Sequence, residues 1–162
     1  MGKIYRKEGG KDMLVVIAQP EELKLVKELG YEKYPVIITG VGAINIINSL
    51  RDIPFDTEIL NIGYCGSNKV KVGTKVWIDQ VHTLHEKASF SEPIMYANGI
   101  HKIGEMCLDC YTATDFVTST KIKEPCVFDM ELAFIRALYP NTRAIKVVSD
   151  NLNKKQYKES VK

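Results

Sequence analysis

Two acidic stretches carry residue types able to act together on a sugar. They are Phe128-Asp129-Met130-Glu131 and Val148-Ser149-Asp150, with Asp150 nineteen residues beyond Glu131. Each sets a carboxylate just past a short apolar run, and a helical pattern over Glu131–Leu138 separates the two runs. Ligands of α/β sheets bind outside the carboxyl ends of the strands. A carboxylate there can accept two hydroxyl hydrogen bonds at once, and a second, held protonated, can act as an acid on a departing group.

Positioning those residues requires strands alternating with helices, and the chain supplies that pattern. Met13–Ala18 (MLVVIA) is a continuous apolar run of strand length, as expected of a strand covered on both faces. Pro20 suits a first helical position, Glu21 and Glu22 complement the helix dipole, and Leu23, Val26 and Leu29 supply an apolar stripe that Gly30 can end. Further strands are expected over Val36–Thr39, Glu58–Asn61, Thr74–Val81, Asp109–Ala113, Cys126–Phe128 and Ala144–Val148, with a helix from about Ala43 to Leu50. Gly63-Tyr64-Cys65-Gly66 reads as a glycine-rich turn after the third strand, and Lys154–Lys162 as a frayed helical tail. Thr83–Lys102 is polar, with turn signals at Pro93 and Asn98-Gly99. The alternation predicts an α/β protein, a three-layer αβα fold with a mixed central sheet.

Length and composition narrow the classes. A chain of 162 residues is expected to form one domain, and one of this size buries roughly 70% of its unfolded surface. Residues 1–12, with Gly9-Gly10 and no apolar core, read as a flexible leader or a cloning remnant, and 13–162 as the domain. The leader carries the whole net charge of +2, leaving 18 of the 22 basic and 18 of the 20 acidic side chains to residues 13–162. Such a balance gives no field to attract nucleic acid or a membrane, and no apolar run approaches a membrane span. Four cysteines fit a reducing compartment, so a cytoplasmic location is expected. Cys107 and Cys110 form a single CxxC without a second pair or clustered histidines, which argues against zinc.

Five stretches in order carry a resemblance: Ile17-Ala18-Gln19-Pro20-Glu21-Glu22, Thr39-Gly40-Val41-Gly42, Asn61-Ile62-Gly63-Tyr64-Cys65-Gly66, Phe128-Asp129-Met130-Glu131 and Val148-Ser149-Asp150. Together, from Met13 to about Asn153, they resemble the nucleoside phosphorylase/nucleosidase superfamily, most of all the methylthioadenosine/S-adenosylhomocysteine nucleosidases, in a shortened form. The resemblance implies cleavage of the N-glycosidic bond of a purine-type nucleoside, without metal or organic cofactor, by a homo-oligomer, a dimer first. It gives Glu131 the ribose hydroxyls, Met130 the sugar face, Asp150 the role of general acid on the base, Glu22 the attacking water and Phe116 a stacking place against the base. Gly42, Tyr64, Cys65 and Gly66 are expected to border the substrate. Each also has a plain structural reading: Glu22 as an acid in a first helical turn, Asp150 as the cap of the helix after it, Phe116 and Met130 as core.

The superfamily divides by nucleophile. Phosphorylases surround phosphate with two arginines and a serine, whereas here the first loop is Gln19-Pro20-Glu21-Glu22, and Asn61 and Tyr64 stand where the second arginine and the serine are expected. A phosphate dianion beside Glu22 meets repulsion with nothing to offset it. Hydrolysis is therefore expected, with phosphorolysis and a non-catalytic nucleoside-binding homologue as the alternatives. His82, just before the polar stretch, and His85 and Tyr96 within it are candidates for substrate contact, with a surface or packing role favoured.

Overall fold

The apolar run at the start of the domain forms β1 (Met13–Ile17), every residue of which is buried because neighbours cover both its edges and both its faces. The computed structural model describes residues 13–84, 95–96 (backbone only) and 105–162, so the leader and His85 lie outside the described residues. β1 pairs in parallel with β2 (Val36–Ile38) and with β3 (Glu58–Ser67). β3 in turn runs parallel to β8 (Thr142–Asp150), and β8 is antiparallel to β4 (Lys75–Thr83). β4 pairs with β6 (Cys107–Thr112) in parallel and with the short β5 (Met95–Tyr96) in antiparallel. β7 (Val127–Asp129) lies parallel to β6 and meets the far end of β3 at Gly66 and Ser67. The sheet is mixed, as expected.

Strand alternation assigns the two faces of β1 to different helices. Met13, Val15 and Ile17 pack with Leu25 and Val26 of α1 (Leu23–Glu28), together with Leu60, Ile62 and Ile145. Leu14 and Val16 pack with Ile46 and Leu50 of α2 (Ala43–Leu50) and with Ile135 of α3 (Leu132–Leu138). Helices thus cover both sides of the sheet. A third cluster, including Val76, Ile78, Val127, Leu132 and Val148, fills the space between α3 and the far half of the sheet.

Two sequence expectations change. Pro20–Glu22 forms a 3-10 turn before α1 begins, which rotates the helix so that Leu25 and Val26 are buried and Leu23 is 46% exposed. Gly63-Tyr64-Cys65-Gly66 is no turn: β3 runs through it to Ser67, with a one-residue slip against β8 between Cys65 and Gly66. Glycine inside a strand marks a bulge or a close approach, and both are present. A Cβ on Gly63 would stand 2.9 Å from Oε1 of Glu22, and one on Gly66 would stand 3.1 Å from Oδ2 of Asp150. The two glycines clear room for two carboxylates.

Candidate active site

Glu22 sits at the end of the 3-10 turn, buried, with its carboxylate reaching back to the chain that enters it. Oε2 accepts from the backbone N–H of Ala18 at 2.8 Å and of Gln19 at 3.1 Å, and Oε1 accepts from that of Tyr64 at 3.2 Å. Its first-turn position is thus combined with a tie between β1 and β3. Burial raises its pKa, against the opposing pull of Lys146 and of those three N–H groups.

Lys146, which the sequence reading passed over, is the cation at the centre of the site. It lies on β8, fully buried, with Nζ 2.9 Å from Oδ2 of Asp129 and 3.4 Å from Oε2 of Glu131. Burial disfavours its charge, but the Asp129 and Glu131 carboxylates more than reverse that and raise its pKa. Its signal was available: a lone lysine inside Ala144-Ile145-Lys146-Val147-Val148, on a strand paired on both edges, needs a buried counterion.

Asp129 and Glu131 divide the work between them. Asp129 accepts from the Thr112 hydroxyl, from the Leu132 N–H at 2.9 Å and from Lys146. Burial would raise its pKa, yet Lys146 and the Thr112 hydrogen bond outweigh it and hold the carboxyl below its usual range. Asp129 therefore anchors the start of α3. Glu131, the residue before that helix, accepts only weakly from Met130 N–H at 3.3 Å and from Lys146. Burial, then the charges of Asp129 and Glu22, push its pKa up to about 8 in spite of Lys146. Of the two, Glu131 is the one with capacity to take new hydrogen bonds.

Asp150 ends β8, buried, where Oδ1 accepts from the Ser149 hydroxyl at 2.7 Å and Oδ2 from the Asn153 N–H at 3.2 Å. Burial raises its pKa against those hydrogen bonds. The cap of the following helix, α4 (Lys154–Ser160), is Asn153, whose side chain accepts from Gln156 N–H. Asp150 instead secures the turn into that helix, where Leu152 takes φ 62°.

A cavity of about 210 Å³ opens onto these groups at the carboxyl ends of β1, β3 and β8. Glu22, Tyr64, Cys65, Gly66, Phe116, Met130 and Glu131 all line it. Asp150 stands just behind the lining, at Ser149 and Gly66. Gly42 is not among the lining residues; Val41 is, and Gly42 precedes α2 with φ 90°. Tyr157 of α4 and Gln19 also line the cavity, joined by a 2.9 Å hydrogen bond from the Tyr157 hydroxyl to Oε1 of Gln19. Tyr157 meets the Phe116 ring edge-on at 5.6 Å. The residue pattern reads α4 only as a frayed tail, so Tyr157 has no periodic signal to reveal it.

Asn61 is fully buried, donating from Nδ2 to the Val16 carbonyl at 3.0 Å, and it ties β3 to β1 rather than facing the cavity. His82 pairs with Asp109 at 3.1 Å and stacks on Tyr111, away from the cavity lining. Of Tyr96 only the backbone is described. Among the described residues no group of His, Cys, Asp and Glu side chains is arranged to hold a metal ion, and the four cysteines are free thiols.

No protein-family model matches the chain, and no curated protein matches it. Solved structures match its fold. An MTAN from Chlamydia trachomatis bound to MTA aligns at TM-score 0.72 and 16% identity, over 92% of this chain and 88% of that one. Futalosine hydrolase of Helicobacter pylori aligns at TM-score 0.71 and 13% identity, over 92% and 90%. The 5'-methylthioadenosine/S-adenosylhomocysteine nucleosidase of Neisseria meningitidis in complex with methylthio-immucillin-A aligns at 0.69 and 16%, over 92% and 91%. The chain has the α/β fold that these nucleosidases share.

Proposed function

We propose that the protein hydrolyses the N-glycosidic bond of a purine-type nucleoside, releasing free base and a ribose derivative. The observation that carries this reading is the pair Glu22 and Glu131 on the wall of a cavity, with Lys146 buried behind Glu131 and the adjoining end backed by the buried Asp150. The fold shared with nucleosidases that are named for this chemistry supports it.

Each group has a task that fits its surroundings. Glu131, in its ionised form beside Lys146, accepts the ribose 2′ and 3′ hydroxyls and stabilises the cationic sugar as the bond lengthens. Met130 packs against the sugar with a polarizable thioether. Asp150, whose pKa burial raises, transfers a proton to a ring nitrogen of the departing base. Phe116 stacks on that base. Glu22, held by three N–H groups yet raised by burial, accepts a proton from the attacking water. Lys146 positions Glu131 and balances the charge of the acids. Water is the better nucleophile here, because the wall presents several carboxyl groups and the cation behind it, Lys146, is already paired with two of them.

The protein acts as a homodimer in this reading. Ile38, Ile44 and Ile47 are 42%, 72% and 46% exposed and flank Val41 at the cavity wall, an apolar patch that a second copy would cover. The free thiols fit a reducing, cytoplasmic setting.

The test is a phosphate-free incubation with adenosine, inosine, 5′-methylthioadenosine and S-adenosylhomocysteine, with release of base followed by chromatography. Base release that Glu131→Gln abolishes is the expected result. Release only after phosphate is added, or none from any compound, sinks the hydrolase reading.

A further inference from the structure

The residues so far assigned leave one stretch of the cavity wall without a task. Gln19 follows the end of β1, and Tyr157 reaches it from α4, 138 residues away, to close a 2.9 Å hydrogen bond. Both line the cavity; of the other polar side chains on its wall, Tyr64 packs against the α1 cluster with Lys24 Nζ 5.7 Å from its ring centroid, Ser149 donates to Asp150 and Asp129 is held by Lys146, which leaves Asp115. Asp115 is engaged locally, its Oδ1 accepting from the Phe116 N–H at 2.7 Å. A Tyr–Gln pair of this kind is not inert. With the hydroxyl donating to Oε1, the phenol oxygen keeps lone pairs to accept, and the Gln19 amide keeps N–H groups to donate.

We propose that Gln19 and Tyr157 form a polar subsite that selects nucleosides carrying a free 5′ hydroxyl over those with an apolar 5′ substituent. The assignment rests on the nucleosidase reading above. With the ribose 2′ and 3′ hydroxyls on Glu131 and the base between Phe116 and the Ser149–Asp150 end, the nucleoside has one part left, the 5′ carbon and its substituent. The hydrogen-bonded Gln19–Tyr157 pair is polar wall left to meet it. An alkyl or alkylthio group there would desolvate the pair without returning a hydrogen bond, whereas a hydroxyl can both donate and accept.

The pair is held in place from both sides. α4 is fixed by its Asn153 cap, by the Asn151 N–H donating to Oε1 of Gln156 at 2.6 Å, and by Lys24 Nζ donating to the Lys162 carbonyl at 2.8 Å. Burial, followed by the negative charges of Glu22, Glu131, Glu21 and Asp150, pushes the Tyr157 hydroxyl up to about 12, so it remains a neutral phenol with its proton to give.

The experiment compares adenosine with 5′-deoxyadenosine on the wild type, Tyr157→Phe and Gln19→Met, in phosphate-free buffer, reading kcat/KM for each. The wild type is expected to favour adenosine about tenfold or more, as a polar site rejects an analogue lacking its partner group. Either substitution should bring that ratio close to one, chiefly by lowering the rate with adenosine. Equal rates for the two nucleosides in the wild type, or a preference that survives both substitutions, overturns the subsite. If the wild type releases base from neither compound, the hydrolase reading falls, and the ratio of the two dissociation constants by calorimetry then decides the subsite separately. Tighter adenosine binding that Tyr157→Phe removes supports it, and equal binding, or none, overturns it.

Discussion

Replacing Lys146 with methionine strikes the site at its electrostatic centre. Nζ lies 2.9 Å from Asp129 and 3.4 Å from Glu131, with the side chain fully buried. Methionine keeps most of the stem and removes the charge, leaving those two carboxyls and Glu22 without their cation. Breaking a buried pair by removing one partner destabilises by about 3–5 kcal/mol. With a urea m-value of about 2 kcal/mol/M, the unfolding midpoint falls by about 2 M.

The loss should depend on pH, and its sign follows from linkage. In the wild type Asp129 lies below its usual range, so its contribution is present above the unfolded value and is lost on acidification through the folded one. Without Lys146, burial and the neighbouring carboxylates raise Asp129 instead, so its contribution is full at low pH and declines as pH rises. Glu131, already raised, moves further in the same direction. The gap between variant and wild type should therefore widen from pH 5.5 to pH 8.5, as followed by urea melts monitored through Trp77 fluorescence. A gap of less than about 1 kcal/mol at both pH values, no more than an ordinary substitution gives, refutes the ion cluster as an organising element. So does a gap that shrinks as pH rises.

Three further perturbations separate the roles of the other residues. Gly63→Ala places a Cβ 2.9 Å from Glu22 Oε1 and should lower kcat about a hundredfold by displacing the carboxylate while the thermal midpoint falls only modestly. Asp150→Asn keeps the shape of the β8 end and should reduce turnover by about 10²–10⁴-fold with nucleoside affinity by calorimetry held within a few-fold, since proton transfer alone is removed. The wild-type rate should fall as pH rises through the raised Asp150 pKa, and this limb should vanish in the variant. Ile44→Asp, at a position 72% exposed, should leave the fold intact by circular dichroism and halve the mass measured by light scattering; an unchanged mass removes this patch as the dimer interface.

The strand and helix pattern was legible because burial imposed it. β1 is covered on every side and reads as an unbroken apolar run, and α2 over Ala43–Leu50 agrees with its expected span. What was misread shares a cause. A glycine in sequence signals a turn and a close approach alike, and only a contact over a long separation, Gly63 with Glu22, tells which one applies. Proline followed by two glutamates announced a helix start but not the 3-10 turn that shifts its buried face from Leu23 to Leu25. Glu22, Met130, Glu131 and Phe116, singled out through the family resemblance, line one cavity. Lys146 was missed because an apolar strand was read for its majority, although its single charge was the more informative residue. Tyr157 was beyond reach, since a polar terminal helix has no period to show which side chain turns inward.

These residues bear on why water, rather than phosphate, should attack. A base must be able to take a proton, and a carboxylate stabilised by three N–H donors would ordinarily be too weak to do so. Burial counteracts that stabilisation at Glu22 and raises its affinity for a proton, while the same N–H groups fix the direction in which its oxygens point. Lys146 is withdrawn from use by a phosphate, being already held by Asp129 and Glu131. Asn61 is occupied with the Val16 carbonyl between two strands. A dianion entering this wall would meet Glu22 and Glu131, and among the described residues the lining includes no lysine or arginine to compensate, whereas a neutral water meets no such repulsion. The arrangement that makes Glu22 a competent base is thus the one that makes the site inhospitable to phosphate.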